Sequence, residues 1–215
     1  MKSLSIKAAG VAAAAVAIIG MTGIGSAEAA PAAPFAAQVK AAGLTGSQAT
    51  ALQSRVDRIL HQYRGAEQVA ANEIALPHGE SVLLPLPGQK YARVLPGAVN
   101  LGFAPASTSG VKSDVADGAT YYWPNGAGCS YEYFCMWQGE VGAGEQFNVS
   151  TCNEDQELPG SGWNTNGSWI DNQTPGTDAY LLNSSKTVIF TTPPPMSFSD
   201  AYNFEPVWYA DACNH

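Results

Sequence analysis

Histidine is scarce in this 215-residue chain: only His61, His78 and His215 occur. None of them sits in an HExxH pattern, and no serine sits in GxSxG, so the common metalloprotease and serine-hydrolase arrangements are missing. No CxxC pair exists among the four cysteines, which argues against a zinc ribbon or finger. In the C-terminal half cations are almost absent. From Tyr121 to His215 there are eleven Asp or Glu and a single basic residue, Lys186. Phosphate backbones are held by Lys and Arg, so nucleic acid is excluded as a partner of that half, and anionic membranes are disfavoured with it. Beyond the first 29 residues no apolar run is long enough to cross a bilayer.

What is present begins with a leader. Lys2 and Lys7 precede an apolar run from Ala8 to Ile24, and "SAEAA" follows with small residues at Ala27 and Ala29. This three-part layout predicts a signal peptide over residues 1–29, cleaved before Ala30, and a secreted, extracellular protein. An oxidising compartment gives the even cysteine count a meaning. Cys129, Cys135, Cys152 and Cys213 predict two disulfides. Three connectivities are open. The pairing preferred here is Cys135 with Cys152, clasping a hairpin, and Cys129 with Cys213, tying the ends of the C-terminal module.

The Ala- and Pro-rich residues 30–44 read as a disordered leader. A helix is expected from about Ser47 to Arg64, because Leu52, Val56, Ile59, Leu60 and Tyr63 recur at helical spacing. Thr45 and Gln48 have capping-box spacing, and Gly65 stands where the helix should stop. "EQVAANEIAL" and "ESVLLPLP" read as two strands joined by Pro77, His78 and Gly79. This helix-plus-hairpin segment, residues 45–87, is small for a core of its own. It either packs on the second half or acts as an appendage or pro-segment. Residues 88–120 are rich in Gly, Pro and Ser without periodicity and read as a linker.

Residues 121–215 hold all five tryptophans and all four cysteines. Short aromatic and β-branched runs alternate there with turn clusters such as "PNGAG", "GEVGAGE", "PGSG" and "TTPPP", which predicts an all-β module. The acidic cluster "NEDQE", residues 153–157, reads as a solvated loop, since glycosidase carboxylates must face each other across a cleft. No catalytic residue is assigned, and the protein is not expected to be an enzyme.

Two stretches carry a resemblance. "FCMWQGEVGAGEQF" places Cys135 in a strand, the aromatic Trp137 after it, then Gly142 and Gly144 ahead of a second strand. "GWNTNGSWIDNQT" supplies Trp163, Asn164 and Ser168 near the start of another. Together they resemble the Greek-key motif of the βγ-crystallin superfamily. More narrowly, they resemble the secreted actinobacterial peptidase inhibitor family I36, the Streptomyces-type metalloproteinase inhibitors. The resemblance implies an all-β Greek-key C-terminal domain and a monomer that inhibits an extracellular protease, by preference a metalloprotease, through a rigid loop beside a disulfide. That loop is not placed by the resemblance; residues 153–162 and Pro193–Pro195 are the candidates. The alternative is a non-inhibitory crystallin-type binding, structural or antimicrobial toxin-like protein. In calcium-binding crystallins the second stretch offers oxygen ligands. Here Thr165 and Trp169 stand at two of those places, so a degraded site near Asn164 and Ser168 is expected and no cofactor is assigned.

Overall fold

The computed structural model describes residues 35–99, 101–103, 119–160 and 162–213. The expected signal peptide, residues 1–29, lies outside them. Helix α1 covers Ala36–Ala41 and buries Val39, so part of the expected disordered leader is ordered. Helix α2 spans Gly46–Gln62. Thr45 accepts from the Gln48 backbone N–H while the Gln48 side chain accepts from the Thr45 N–H, a complete capping box. Ala49, Leu52, Val56 and Ile59 form its buried stripe.

Three strands follow: β1 (Glu67–Ala70), β2 (Glu73–Ala75) and β3 (Ser81–Leu83). The first predicted strand is therefore a hairpin in its own right. It turns at Ala71 and Asn72, where the Asn72 amide donates to the Leu84 and Arg93 carbonyls and stabilises a turn without Gly or Pro. After the described part of the linker come β4 (Tyr121–Tyr122), β5 (Gly128–Cys129), β6 (Tyr133–Gly139), β7 (Ala143–Val149), β8 (Gln156–Glu157), β9 (Asn166–Asn172), β10 (Tyr180–Leu182), β11 (Val188–Thr191), β12 (Ser197–Asn203) and β13 (Tyr209–Asp211).

These strands make a mostly antiparallel, all-β architecture. A seven-stranded sheet has the order β1-β2-β3-β7-β6-β9-β12, and a four-stranded sheet the order β11-β10-β13-β8; β4 and β5 pair separately. Each large sheet takes one strand from the other's stretch of chain. β8 leaves the run β6–β9 to pair with β13, and β12 leaves the run β10–β13 to pair with β9. The hairpin β2–β3 continues the first sheet through Val82↔Phe147.

One core joins the two halves of the chain. Leu52, Val56 and Ile59 of α2, Ile74 and Val82 of the hairpin, and Phe134, Met136, Phe147, Val149, Leu181 and Phe204 of the C-terminal module belong to a single buried cluster. The helix-hairpin segment is thus integral rather than an appendage. The linker is also partly structured: Tyr91 bridges to Gly144 and Phe103 to Cys129. Behind the sheet lies a second cluster of Tyr121, Trp123, Ala127, Cys129, Cys135, Trp137 and Ile170. The alternation of a strand explains the division. Phe134 and Met136 of β6 enter the main core, while Cys135 and Trp137 enter the second.

Candidate binding loops and their frame

The hairpin β6–β7 folds tightly at Glu140–Gly142, a one-turn 3-10 helix with Val141 at φ 52° and Gly142 at φ 74°. A side chain at Gly142 would run into the Trp123 ring, and its Cβ would lie 2.8 Å from the Ala127 methyl. Only glycine fits both the backbone and the space. Gly144 also has positive φ, and its N–H donates to the Lys90 carbonyl at 2.8 Å. Ser168 closes the fold from β9. Its Oγ donates to the Gly139 carbonyl at 2.9 Å and accepts from the Gly142 N–H at 2.8 Å. Trp137 is fully buried, edge-on to Trp123.

The disulfides are Cys129–Cys135 and Cys152–Cys213, with Cα separations of 5.7 and 4.5 Å. The preferred sequence-based pairing is overturned on both bonds. Strand alternation is the reason: Cys135 faces the second cluster with Cys129, whereas Cys152 and Cys213 pack on the main core at the far face. Cys135 and Cys152 are on opposite sides of the sheet and cannot meet.

Of the two candidate loops, residues 153–162 are tied down. Asn153 N–H donates to the Cys213 carbonyl beside the disulfide. The Tyr63 hydroxyl donates to the Glu157 carbonyl, the Gln62 amide to the Leu158 carbonyl at 3.2 Å, and the Gly160 N–H to Gln62 Oε1 at 2.8 Å. The residues at the end of α2 therefore occupy the Glu157 and Leu158 carbonyls and the Gly160 N–H. The acids of this loop are spread over separate partners: Asp155 lies 3.2 Å from Lys186 and Glu154 lies 3.8 Å from His78 Nδ1.

The second loop, between β11 and β12, is presented outward. Pro193 and Pro194 are exposed, Pro195 and Met196 half-buried. Its base is rigid. Buried Thr192 donates from Oγ1 to Asp171 Oδ2 at 2.6 Å and accepts from the Ala179 N–H at 2.8 Å. Burial pushes the Asp171 carboxyl above its ordinary value, and donors from Thr192 and Gln173 partly offset this. Ser197 Oγ donates to the Pro193 carbonyl at 2.7 Å and closes the loop. Beside it Phe198, 47% exposed, stacks on Tyr121 with ring centroids 5.6 Å apart and meets Trp123 edge-on. Asp171, Thr192 and Phe198 escaped the sequence reading. Its available signals were the lone acid in "SWIDNQ" and the turn cluster "TTPPP".

The calcium-type stretch is committed to the fold. Asn164 is exposed, the Thr165 hydroxyl donates to the Gln138 carbonyl at 2.5 Å, and Ser168 is used in the hairpin clip. Trp169 faces the opposite side, against Phe134 and Phe190. A hard cation needs several oxygens converging on one point, and the Thr165 and Ser168 hydroxyls of this stretch are used on backbone carbonyls of β6. Among the described residues no group of three or more His, Cys, Asp or Glu is placed to hold a metal, and no helix is long and apolar enough to cross a membrane. Trp163 is buried against Phe204 at 5.2 Å.

Comparison with family models, with curated proteins and with solved structures finds no match to this chain.

Proposed function

We propose that the protein is an exported inhibitor of an extracellular protease, of the metallo class by preference, and that Pro193–Met196 is the loop it presents. The observation that carries the reading is the contrast between exposed prolines and a buried base. Pro193 and Pro194 project to solvent while Thr192 is locked to Asp171 and Ala179. Proline fixes φ, so little backbone freedom is lost when such a loop enters a cleft. A loop carbonyl brought to the open coordination position of a catalytic zinc would occupy the place of a scissile carbonyl. In the alternative loop, residues 153–162, the Glu157 and Leu158 carbonyls are taken by Tyr63 and Gln62.

The finer architecture is read as two interlocked Greek keys of βγ-crystallin type. The reciprocal exchange of β8 and β12, and the Ser168 clip on a glycine-bearing hairpin, support it. The membership of peptidase inhibitor family I36 rests on the same residues and on the resemblance of the two quoted stretches. Two disulfides agree with an oxidising, extracellular setting.

The test is a titration of the exported chain against a thermolysin-like metalloprotease and a subtilisin-like serine protease. Inhibition is expected to saturate at one molecule per enzyme and to compete with substrate. Replacing Pro193 and Pro194 together by glycine should weaken it by about tenfold or more while leaving the melting temperature near its original value. If neither enzyme loses activity at micromolar protein, the reading gives way to a crystallin-type binding module without an inhibitory loop.

A further inference from the structure

A cleft of about 320 Å³ opens between α2 and the β8–β9 loop, away from Pro193–Met196 in the chain and lined by none of its residues. Arg55 and Arg58 stand one helical turn apart and both line it. So do Gln138, Glu145 and the buried Trp163.

The charges are unequal. Arg55 is already placed: one guanidinium nitrogen donates to the Pro85 carbonyl at 3.1 Å, and another lies 3.7 Å from Glu145. Arg58 is exposed and forms no ion pair among the described residues. The cleft therefore holds two guanidiniums against one carboxylate, in a chain whose formal charge is −8. Neutral hydrogen-bonding groups stand beside them. The Trp163 indole N–H is buried; it acts on the Glu145 carboxyl but makes no hydrogen bond of normal length among the described residues. The Gln138 amide is half-exposed at the same wall. A buried donor held only this loosely gains from a closer acceptor, and a ligand oxygen can supply one.

We infer that this cleft is a binding site for a small, singly charged hydroxy-carboxylate of about the size of one sugar ring. The planar Arg58 fork matches a carboxylate in two-point geometry. Above pH 7, where the Glu145 carboxyl is ionised, it disfavours a dianion such as phosphate. The volume lies at the small end of ligand sites, where about a dozen non-hydrogen atoms fit. The site is independent of the inhibitor reading.

The probe is sodium glucuronate, added to the exported chain and followed through the Trp163 indole and arginine side-chain signals by NMR. A saturable shift with a dissociation constant on the order of 1 mM is expected for a ligand of this size. At about pH 8.5, where Glu145 is ionised, glucose and inorganic phosphate should each bind at least about tenfold more weakly. Arg58→Gln, at an exposed position, should weaken glucuronate by about tenfold with an unchanged melting temperature. The inference is overturned by any of three results. These are no saturable shift at up to about fifty times that concentration, equal binding of glucose or phosphate, or undiminished binding by the Arg58→Gln variant. Protease inhibition plays no part in any of these readouts, so the two readings fail separately.

Discussion

At the residue scale, Ser168 does more than its size suggests. One hydroxyl satisfies both the Gly139 carbonyl and the Gly142 N–H, and through them fixes a hairpin that contains two consecutive residues at positive φ. Ser168→Ala leaves that buried N–H unpaired along with the carbonyl, a loss of about 2–3 kcal/mol. Chemical denaturation should show the midpoint fall with an unchanged slope; a loss under about 0.5 kcal/mol would mean that water replaces the clip. Ser168, Gly142 and Trp137 could be singled out from sequence because the two short stretches that hold them resemble a known folded-hairpin motif. Asp171 and Thr192 could not. Their partnership spans 21 positions, from β9 to the residue just after β11, and the two strands pair with different neighbours, so no short pattern records it.

At the element scale, α2 could be read from sequence because its stripe and its capping box are written within one stretch. The strand β8 could not, since two residues carry no period. The cysteine pairing failed for a related reason. It depends on which face of β6 each side chain takes, and sequence spacing alone does not fix where Cys129 and Cys213 come to lie. The observed pairing has an energetic consequence of its own. Cys129–Cys135 has a sequence separation of 6 and Cys152–Cys213 one of 61. On the chain-entropy account, the short bond stabilises by about 2 kcal/mol and the long one by about 4. Replacing Cys152 and Cys213 together by alanine should therefore lower stability more than the same change at Cys129 and Cys135. The opposite ranking in thermal unfolding would show that packing in the second cluster, around Cys135 and Trp137, outweighs loop closure.

At the scale of the whole molecule, the chain joins its two halves across a seam that buries acids. Glu73 lies in β2, Glu80 just ahead of β3, and Glu145 in β7, all within the run β2-β3-β7 of one sheet. All three are buried. Burial pushes each carboxyl from an ordinary value of 4.5 up to about 7. Glu145 is held back from rising further by Arg55, the Trp163 indole and Arg58. For Glu80 the opposing influences are its own backbone hydrogen bond, His78 and Thr151, with Glu154 adding to the rise. Desolvation acts alone on Glu73. The folded state therefore binds protons that the unfolded chain has already released between pH 4.5 and 7. Stability is greatest below that window, falls as pH rises through it, and levels off above, with up to about 3 kcal/mol at stake per group. The melting temperature, with both disulfides intact, should thus be higher at pH 5 than at pH 8.5. Net charge offers a rival account, because a chain of formal charge −8 repels itself more as pH rises. Two substitutions separate the accounts. Glu73→Gln removes a buried titrating group, and Glu140→Gln removes the same charge at an exposed position. If burial governs, Glu73→Gln flattens the pH dependence and raises stability most at pH 8.5, whereas Glu140→Gln leaves the slope as it was. Equal flattening by both would assign the effect to net charge and remove the seam from the explanation.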